Sequence, residues 1–162
     1  MIISSLIYLK KADAYLMLHR IKKENDINKD KWIGIGGKKE EYETIHECMI
    51  REVFAESGLC VDSYEYRGII HFKDDSYEEE MHLYTSSNFH GTIKTCDEGV
   101  LEWVNIHDIY SLPLWEGDFY FLKEIENDST RFFHMTIHYE HSQLIFVEKD
   151  GEILYDRLSK KR

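Results

Sequence analysis

The chain has 162 residues, a length that suits one domain with a substantial hydrophobic core. Its 31 acidic residues outnumber its 20 basic residues, which gives a net charge of −11 at pH 7. This charge argues against a nucleic acid polymer or an anionic membrane as partner. An acidic protein can still bind a phosphorylated small molecule when metal ions neutralise its site. We therefore expect one domain over residues 1–162 with a small-molecule partner.

The cysteines and the hydropathy pattern predict a cytoplasmic protein. Cys48, Cys60 and Cys96 are odd in number and have no C-x-x-C spacing, which indicates free thiols in a reducing compartment. We expect no signal peptide after Met1, and no apolar run is long enough to span a bilayer. The sequence leaves open whether the protein is a monomer or a homodimer.

Alternating apolar and polar residues predict a chain in which strands outnumber helices. The predicted strands cover residues 2–9, 14–19, 31–35, 60–73, 81–90, 101–106, 131–139, 143–148 and 152–155. The predicted helices cover residues 44–57 and 115–127, and polar loops are predicted over 21–30 and 74–80. Asp150-Gly151 is typical of a tight hairpin turn. We expect an α/β (α+β) arrangement in which a central mixed sheet lies between the two helices.

The first predicted helix has clear signals at both ends. Thr44 is a suitable N-cap, and Glu47 three residues later completes a capping box. Gly58 suits the residue that ends the helix. The preceding Gly36 and Gly37 favour a tight bend where the backbone passes close to another group.

Two carboxylates of this helix occupy an unusual position. Ile45, Met49 and Val53 form an apolar stripe, and Glu52 and Glu56 share a face that overlaps it. An unpaired carboxylate beside a core is costly, but a bound divalent cation such as Mg²⁺ would remove the conflict. The alternative is an ordinary surface helix with charges four residues apart.

Cationic side chains near this helix have candidate roles. The guanidinium of Arg51 could hold Glu43 in place through two hydrogen bonds. Lys38 directly after the glycines could reach a phosphate as a point charge. Arg20, at the start of the first polar loop, could also contact a phosphate, or it could be a solvated strand-end arginine.

The second predicted helix begins with a possible base-binding pair. Trp115 and Asp118 lie one turn apart, so an indole that stacks on a base and a carboxylate that bonds its edge would form a clamp. Alternatively, Trp115 fills the core and Asp118 is a first-turn acid favoured by the helix dipole.

The segment over residues 37–59 resembles the Nudix box, the pattern G-x5-E-x7-R-E-U-x-E-E-x-G-U in which U is aliphatic. Ala55 stands where the pattern has Glu, which leaves the number of metal ions open. The matching residues are Gly37, Glu43, Arg51, Glu52, Val53, Glu56, Gly58 and Leu59. So many fixed positions over this span make the resemblance specific.

The resemblance implies Mg²⁺-dependent hydrolysis of a nucleoside diphosphate linked to another group, with Mn²⁺ as a possible substitute. Glu52 or a neighbouring loop acid would act as general base, and Glu43 and Arg51 would orient the other groups. Glu98 would join the metal site from a later loop, although it could also be only the acid of an Asp-Glu-Gly turn. The implied metal ligands are the Gly36 carbonyl, Glu52, Glu56 and Glu98.

Segments outside the box are similar to the MutT-type branch of this family, which implies hydrolysis of 8-oxo-dGTP to the monophosphate and pyrophosphate. These segments are KWIGIGGK, CDEGVLEWV and PLWEGDFYF. Trp115 and Asp118 match base-clamp positions, whereas Ile33 stands where mammalian members place an asparagine that reads the base. Two alternatives stay open: another Nudix enzyme, acting on dinucleoside polyphosphates, nucleotide sugars or ordinary nucleoside triphosphates, and a non-catalytic nucleotide-binding regulator.

Overall fold

The computed structural model describes residues 1–127 and 131–158, so the last four residues of the predicted domain lie outside the described part. The described residues form ten strands and three helices. The strands are β1 (Ile2–Lys11), β2 (Ala14–His19), β3 (Trp32–Ile33), β4 (Ile35–Lys38), β5 (Leu59–Asp74), β6 (Tyr77–Gly91), β7 (Val100–Asn105), β8 (Phe133–Glu140), β9 (Gln143–Lys149) and β10 (Glu152–Asp156). The helices are α1 (Ile45–Ser57), α2 (Ile106–Ile109) and α3 (Asp118–Glu126).

Helix α1 begins and ends as its sequence predicts. The Thr44 hydroxyl accepts a hydrogen bond from the Glu47 N–H at 3.1 Å, and the Glu47 carboxylate accepts one from the Thr44 N–H at 2.8 Å. Gly58 ends the helix with φ at 82°, a left-handed conformation that glycine adopts without strain. These local interactions fix where the helix starts relative to β4.

Several element predictions were wrong in detail. Gly36 and Gly37, expected in a tight bend, lie within β4, and the strand predicted over 31–35 is divided between β3 and β4. The acidic loop predicted over 74–80 is largely strand, because β5 and β6 continue to a turn at 75–76 and Glu78 lies opposite Lys73. Helix α3 begins at Asp118 and not at Trp115, since the Asp118 N–H closes a turn onto the Trp115 carbonyl at 3.0 Å. The four-residue helix α2 was not predicted, because one turn gives no helical periodicity.

The sheet is mixed, as predicted, and branches at β1. Strand β1 is parallel to β6, and β5 is parallel to β8, whereas the other pairings are antiparallel. One long path of neighbours runs β10-β9-β8-β5-β6-β1. The other edge of β1 pairs with β4 over residues 4–7, and its last residues, Lys10 and Lys11, pair with β2. Strand β2 in turn carries β3 and β7.

Two hydrophobic clusters lie on opposite faces of β1, which confirms the predicted sandwich. Ile7 and Leu9 belong to a cluster with Met49 and Val53 of α1. Leu6 and Tyr8, which alternate with them, belong to a larger cluster that contains buried residues of α3. Alternation along a strand therefore directs neighbouring side chains to different helices.

Other sequence expectations concern the cysteines and membrane spans. All three cysteines are free, as predicted. Among the described residues, no helix is both long and apolar enough to cross a membrane.

Gly36 is required where β4 pairs with β1. A Cβ atom at this position would lie 1.8 Å from the Ser5 carbonyl oxygen, an impossible distance for non-bonded atoms. The neighbouring backbone cannot yield without breaking the pairing between the two strands. Gly151 differs, because its φ of 88° favours glycine but a Cβ there would meet nothing within 4 Å.

We therefore expect Gly36→Ala to lower the free energy of unfolding by at least about 3 kcal/mol, the upper range for overpacking. Gly151→Ala is the matched control and should cost only about 1 kcal/mol, from its left-handed conformation. Urea unfolding at pH 7 measures both. Equal losses for the two variants would contradict the steric argument.

Candidate active site

Both acidic side chains on the inner face of α1 contact the glycine pair of β4. The Gly36 N–H donates a hydrogen bond to Glu56 Oε2 at 3.2 Å. The Glu52 carboxylate lies against Gly37, where an added Cβ would be 2.5 Å from its carboxyl carbon. The space left by the missing Cβ of Gly37 is thus filled by the Glu52 carboxylate. The two carboxylates are brought together as the sequence predicts.

Arg51 holds the neighbouring acids in fixed positions. Its Nε and Nη2 donate to the two oxygens of Glu43 at 2.8 and 2.7 Å, and its Nη1 donates to Glu52 Oε1 at 2.8 Å. Nη2 also lies 3.3 Å from the Lys38 carbonyl oxygen. These hydrogen bonds from Arg51 lower the pKa of Glu43 to about 2. Glu43 and Glu52 are thus two ends of one ionic chain, with Arg51 between them.

Glu98 contacts the same group of acids from the loop before β7. Burial, followed by a hydrogen bond that Glu56 donates to Glu98 and the negative charges of Glu98 and Glu52, raises the pKa of Glu56 to about 9. Three carboxyl groups therefore interact at the glycine pair. Arg51 pairs with Glu52 and Arg20 with Glu98, whereas no cationic group of the described residues pairs with Glu56. This donor chemistry fits a hard divalent cation, which prefers carboxylate and carbonyl oxygens.

The side chains of the predicted metal ligands do not converge on a single point in the structure. Across residues 1–127 and 131–158, no three His, Cys, Asp or Glu side chains converge as a ready metal site. The reason is that Glu52 is turned toward Arg51 and Glu98 toward Arg20, at 2.8 and 2.9 Å. The described contact of Gly36 with these acids is made by its N–H and not by its carbonyl. Full coordination of a metal would need small rotations of these two carboxylates away from their arginines.

Arg20 fits neither of the two interpretations given to it from the sequence. It is not available to a phosphate, and it is not a solvated arginine. Its Nε donates to Asp26 Oδ2 at 2.6 Å, and its Nη1 lies 2.9 Å from Glu98 Oε2. Only 14% of its side chain is exposed. Arg20 instead ties the loop over 21–30 to the loop that carries Glu98. Lys38 remains exposed at the end of β4, where a phosphate could reach it.

Trp115 and Asp118 lie together at the start of α3, but two unpredicted residues hold the indole. Its Nε1 donates to Asn28 Oδ1 at 2.8 Å, and the Lys31 ammonium lies 5.1 Å from the ring centre. Tyr139 approaches at nearly a right angle, with ring centres 5.7 Å apart. One face of Trp115 is thus covered by a cation. The only sequence signal for these partners was that polar loops beside a scaffold often carry binding groups.

The pKa of the Asp118 carboxyl group lies close to neutral pH. Burial raises its pKa to about 7, although the nearby Lys31 lowers it. The buried Tyr8 hydroxyl lies near this carboxyl and the Gly34 N–H without a well-formed hydrogen bond. Ile33 is half-buried in β3, directly before Gly34. Tyr8 was predicted only as part of the strand over 2–9, so its polar end was missed.

Comparison with known proteins identifies the family. The family model for the NUDIX domain matches residues 3–125, more than half of the chain. The chain belongs to the Nudix family. This confirms the family predicted from the box, and members of this family generally require a divalent metal and act on small nucleotide substrates.

Relatives and solved structures within the Nudix family are similar to the chain. The mouse protein named oxidized purine nucleoside triphosphate hydrolase is 33% identical over 100 residues, which cover 60% of this chain and 64% of the relative. A zebrafish (Danio rerio) protein of the same name is 33% identical over 98 residues, covering 59% of this chain and 63% of the relative. The chain thus spans less than two thirds of the length of either.

A MutT protein from Bacillus halodurans matches with a TM-score of 0.82 and 26% identity, covering 94% of this chain and 99% of that chain. Together these findings indicate a Nudix hydrolase, the class of enzyme that the sequence predicted.

The raised pKa of Asp118 has a consequence for stability. Between its ordinary pKa of 3.8 and about 7 the folded state holds the proton more tightly than the unfolded state, so stability falls as pH rises through this range. We expect Asp118→Asn to remove this decline. The variant should gain stability relative to the parent protein as pH rises from 4 to 7, with the largest gain above pH 7.

Urea unfolding at pH 4, 5, 6, 7 and 8 measures this difference. Glu116→Gln, which changes an exposed acid of the same turn, is the matched control. A stability difference between Asp118→Asn and the parent that stays constant with pH would contradict the assignment.

Proposed function

We propose that this Nudix hydrolase cleaves a nucleoside triphosphate to the monophosphate and pyrophosphate, and that its substrates are oxidised purine nucleotides such as 8-oxo-dGTP. One observation carries the proposal: the carboxyl groups of Glu52, Glu56 and Glu98 interact beside the glycine pair of β4, and among the described residues no cationic group pairs with Glu56. The names of the mouse and zebrafish relatives support the choice of substrate.

The metal is Mg²⁺, with Mn²⁺ as a substitute, held by Glu52, Glu56, Glu98 and the Gly36 carbonyl. When bound, it would supply neutralising charge to the phosphates and Lewis-acid polarisation at phosphorus. Residues of the chain provide the remaining functions. Glu56 is kept in place by the Gly36 N–H, so it cannot swing into solvent.

Glu52 is the proposed general base that accepts a proton from the attacking water. Arg51 orients Glu52 through its hydrogen bond to Oε1, and Glu43 fixes Arg51 through the bidentate pair. Because this chain of contacts has few freely rotating groups, Glu52 is held beside the site until it turns from Arg51 toward the metal. Lys38 supplies a point charge to a substrate phosphate from the end of β4.

The base of the nucleotide is proposed to bind at Trp115 and Asp118, with Ile33 as an apolar wall. Since Lys31 covers one face of the indole, a stacked base would use the other face. A carboxyl group with a pKa of about 7 can be either a donor or an acceptor toward a base edge at neutral pH. The free thiols also support the proposed cytoplasmic location.

The role of Glu56 is tested by Glu56→Gln, which keeps its size but removes its charge. We expect Mg²⁺-dependent turnover to fall at least about 100-fold, because electrostatic stabilisation of the phosphates is lost. The circular dichroism spectrum and unfolding midpoint should show a folded protein. Glu41→Gln, at an exposed acid before α1, should keep full activity. Activity of Glu56→Gln close to that of Glu41→Gln would refute the assignment.

Substrate choice is tested with a panel of 8-oxo-dGTP, dGTP, ADP-ribose and Ap4A in the presence of Mg²⁺. We expect 8-oxo-dGTP to have the highest kcat/KM and to yield the monophosphate and pyrophosphate, resolved by chromatography. Fastest turnover of ADP-ribose or Ap4A would overturn the proposed substrate class while leaving the metal site intact.

The base-binding position is tested by Ile33→Asn in the same assay. An amide can form hydrogen bonds with a base edge that isoleucine cannot, so the ratio of kcat/KM for 8-oxo-dGTP over dGTP should rise about tenfold. Ile27→Asn, at an exposed residue of the 21–30 loop, controls for the new amide. An unchanged ratio for Ile33→Asn would place the base elsewhere.

A further inference from the structure

A cleft of about 920 Å³ lies outside the site described above. It is bordered by the turn after β1, the end of β6 with the segment that follows, and β7. None of its lining residues belongs to the metal site or to the base site proposed above. Its volume lies in the range of small-molecule sites in proteins.

The branching of the sheet produces this cleft. Strand β1 pairs with β6 as far as Leu9 and Ser86, and then Lys10 and Lys11 turn away to pair with β2. Within the described chain, no strand pairs with that edge of β6 beyond Ser86. Residues 87–91 therefore form an edge of β6 without a strand neighbour, where the Ser86 hydroxyl bonds the backbone of Asn88.

The charge of the cleft is opposite to that of the protein. No aspartate or glutamate lines it, although the chain carries 31 acids and a net charge of −11. Lys10 and Lys11 both line it, and in the described part of the chain neither ammonium group has an ion-pair or hydrogen-bond partner. Successive residues of a strand face opposite sides of the sheet, so Lys11, opposite Ala14, shares the face of Trp103, which lies opposite Leu16. A lysine without a counter-ion on that face is suited to an anionic group of a ligand.

Aromatic side chains line the same cleft. The rings of Phe89 and Trp103 are nearly parallel, with an interplanar angle of 19° and centroids 6.0 Å apart. Both are half-buried, so each keeps some ring surface in the cleft. Partly exposed aromatic rings are platforms on which a planar ring can stack. The hydroxyls of Ser87 and Thr92 add hydrogen-bonding groups.

We propose that this cleft binds a second ligand, a planar aromatic ring that carries a phosphate, as a mononucleotide does. The ring would stack on Phe89 and Trp103, and the phosphate would bind Lys11. Because the contacts are to a lysine and rings, binding does not need a metal ion. The proposal is independent of the proposed catalytic function, with which it shares no residue.

The test is a titration of ¹⁵N-labelled protein with GMP in EDTA, followed by the indole N–H resonances in two-dimensional NMR spectra. The resonance of Trp103, assigned with Trp103→Phe, should shift and saturate with a Kd on the order of 1 mM or tighter. The resonance of Trp115 reports separately on the base site. A shift of Trp115 without a shift of Trp103 would overturn the proposal.

Variants and ligand fragments separate the two contributions. Lys11→Ala should weaken GMP binding at Trp103 about tenfold, whereas Lys10→Ala, which removes the same charge from the opposite face of the sheet, should not. Guanosine and ribose 5-phosphate should each bind more weakly than GMP. Equal affinity of Lys11→Ala and the parent protein would refute the anion site, and equal affinity of ribose 5-phosphate and GMP would refute the stacking platform.

Discussion

Strand β4 fits between strand β1 and helix α1 only because two successive residues of β4 have no Cβ. At Gly36 the space is taken by the backbone of β1, and at Gly37 it is taken by the Glu52 carboxylate. Any larger residue would separate the strand from its neighbour or push the helix outward. The position of both α1 carboxylates follows from this close approach, since Glu56 reaches the Gly36 N–H from the next turn.

Two arginines on opposite sides hold the acids that meet there. Arg51 connects Glu43 with Glu52, and Arg20 connects Asp26 with Glu98. Glu56, between them, has no cationic partner among the described residues, and its pKa rises to about 9 as a result of burial and neighbouring carboxylates. At pH 7 this carboxyl group therefore keeps its proton, and a divalent cation would take the place of that proton and stabilise the charged form. This arrangement of acids is thus suited to binding a divalent cation.

Features that depend on nearby residues could be predicted from the sequence. Thr44 and Glu47 cap α1, and Gly58 ends it, because capping involves atoms within one helical turn. The shared face of Glu52 and Glu56 followed from helical spacing alone. The mixed sheet with a helix on each face also followed, since the order of elements and the family resemblance both favoured it.

Features that depend on distant residues could not be predicted. Arg20 pairs with Glu98, 78 positions away, and Trp115 is held by Asn28 and Lys31, more than 80 positions away. Single-sequence patterns carry no information about such contacts. The acidic run over 74–80 was misassigned for a related reason, because cross-strand pairing with β5 outweighs the low strand propensity of its acids. The branch of the sheet at Lys10 likewise depends on pairing and not on local sequence.

The central claim is that the glycine pair of β4 and the three acids form one metal site. Anomalous diffraction from crystals grown with Mn²⁺ tests this directly, because the ion's position is observed independently of activity. The account predicts a strong anomalous peak within coordination distance of Glu56, with Glu52 and Glu98 turned from their arginines toward it. A peak bound only elsewhere on the protein, or none beside Glu56 at saturating Mn²⁺, would contradict it.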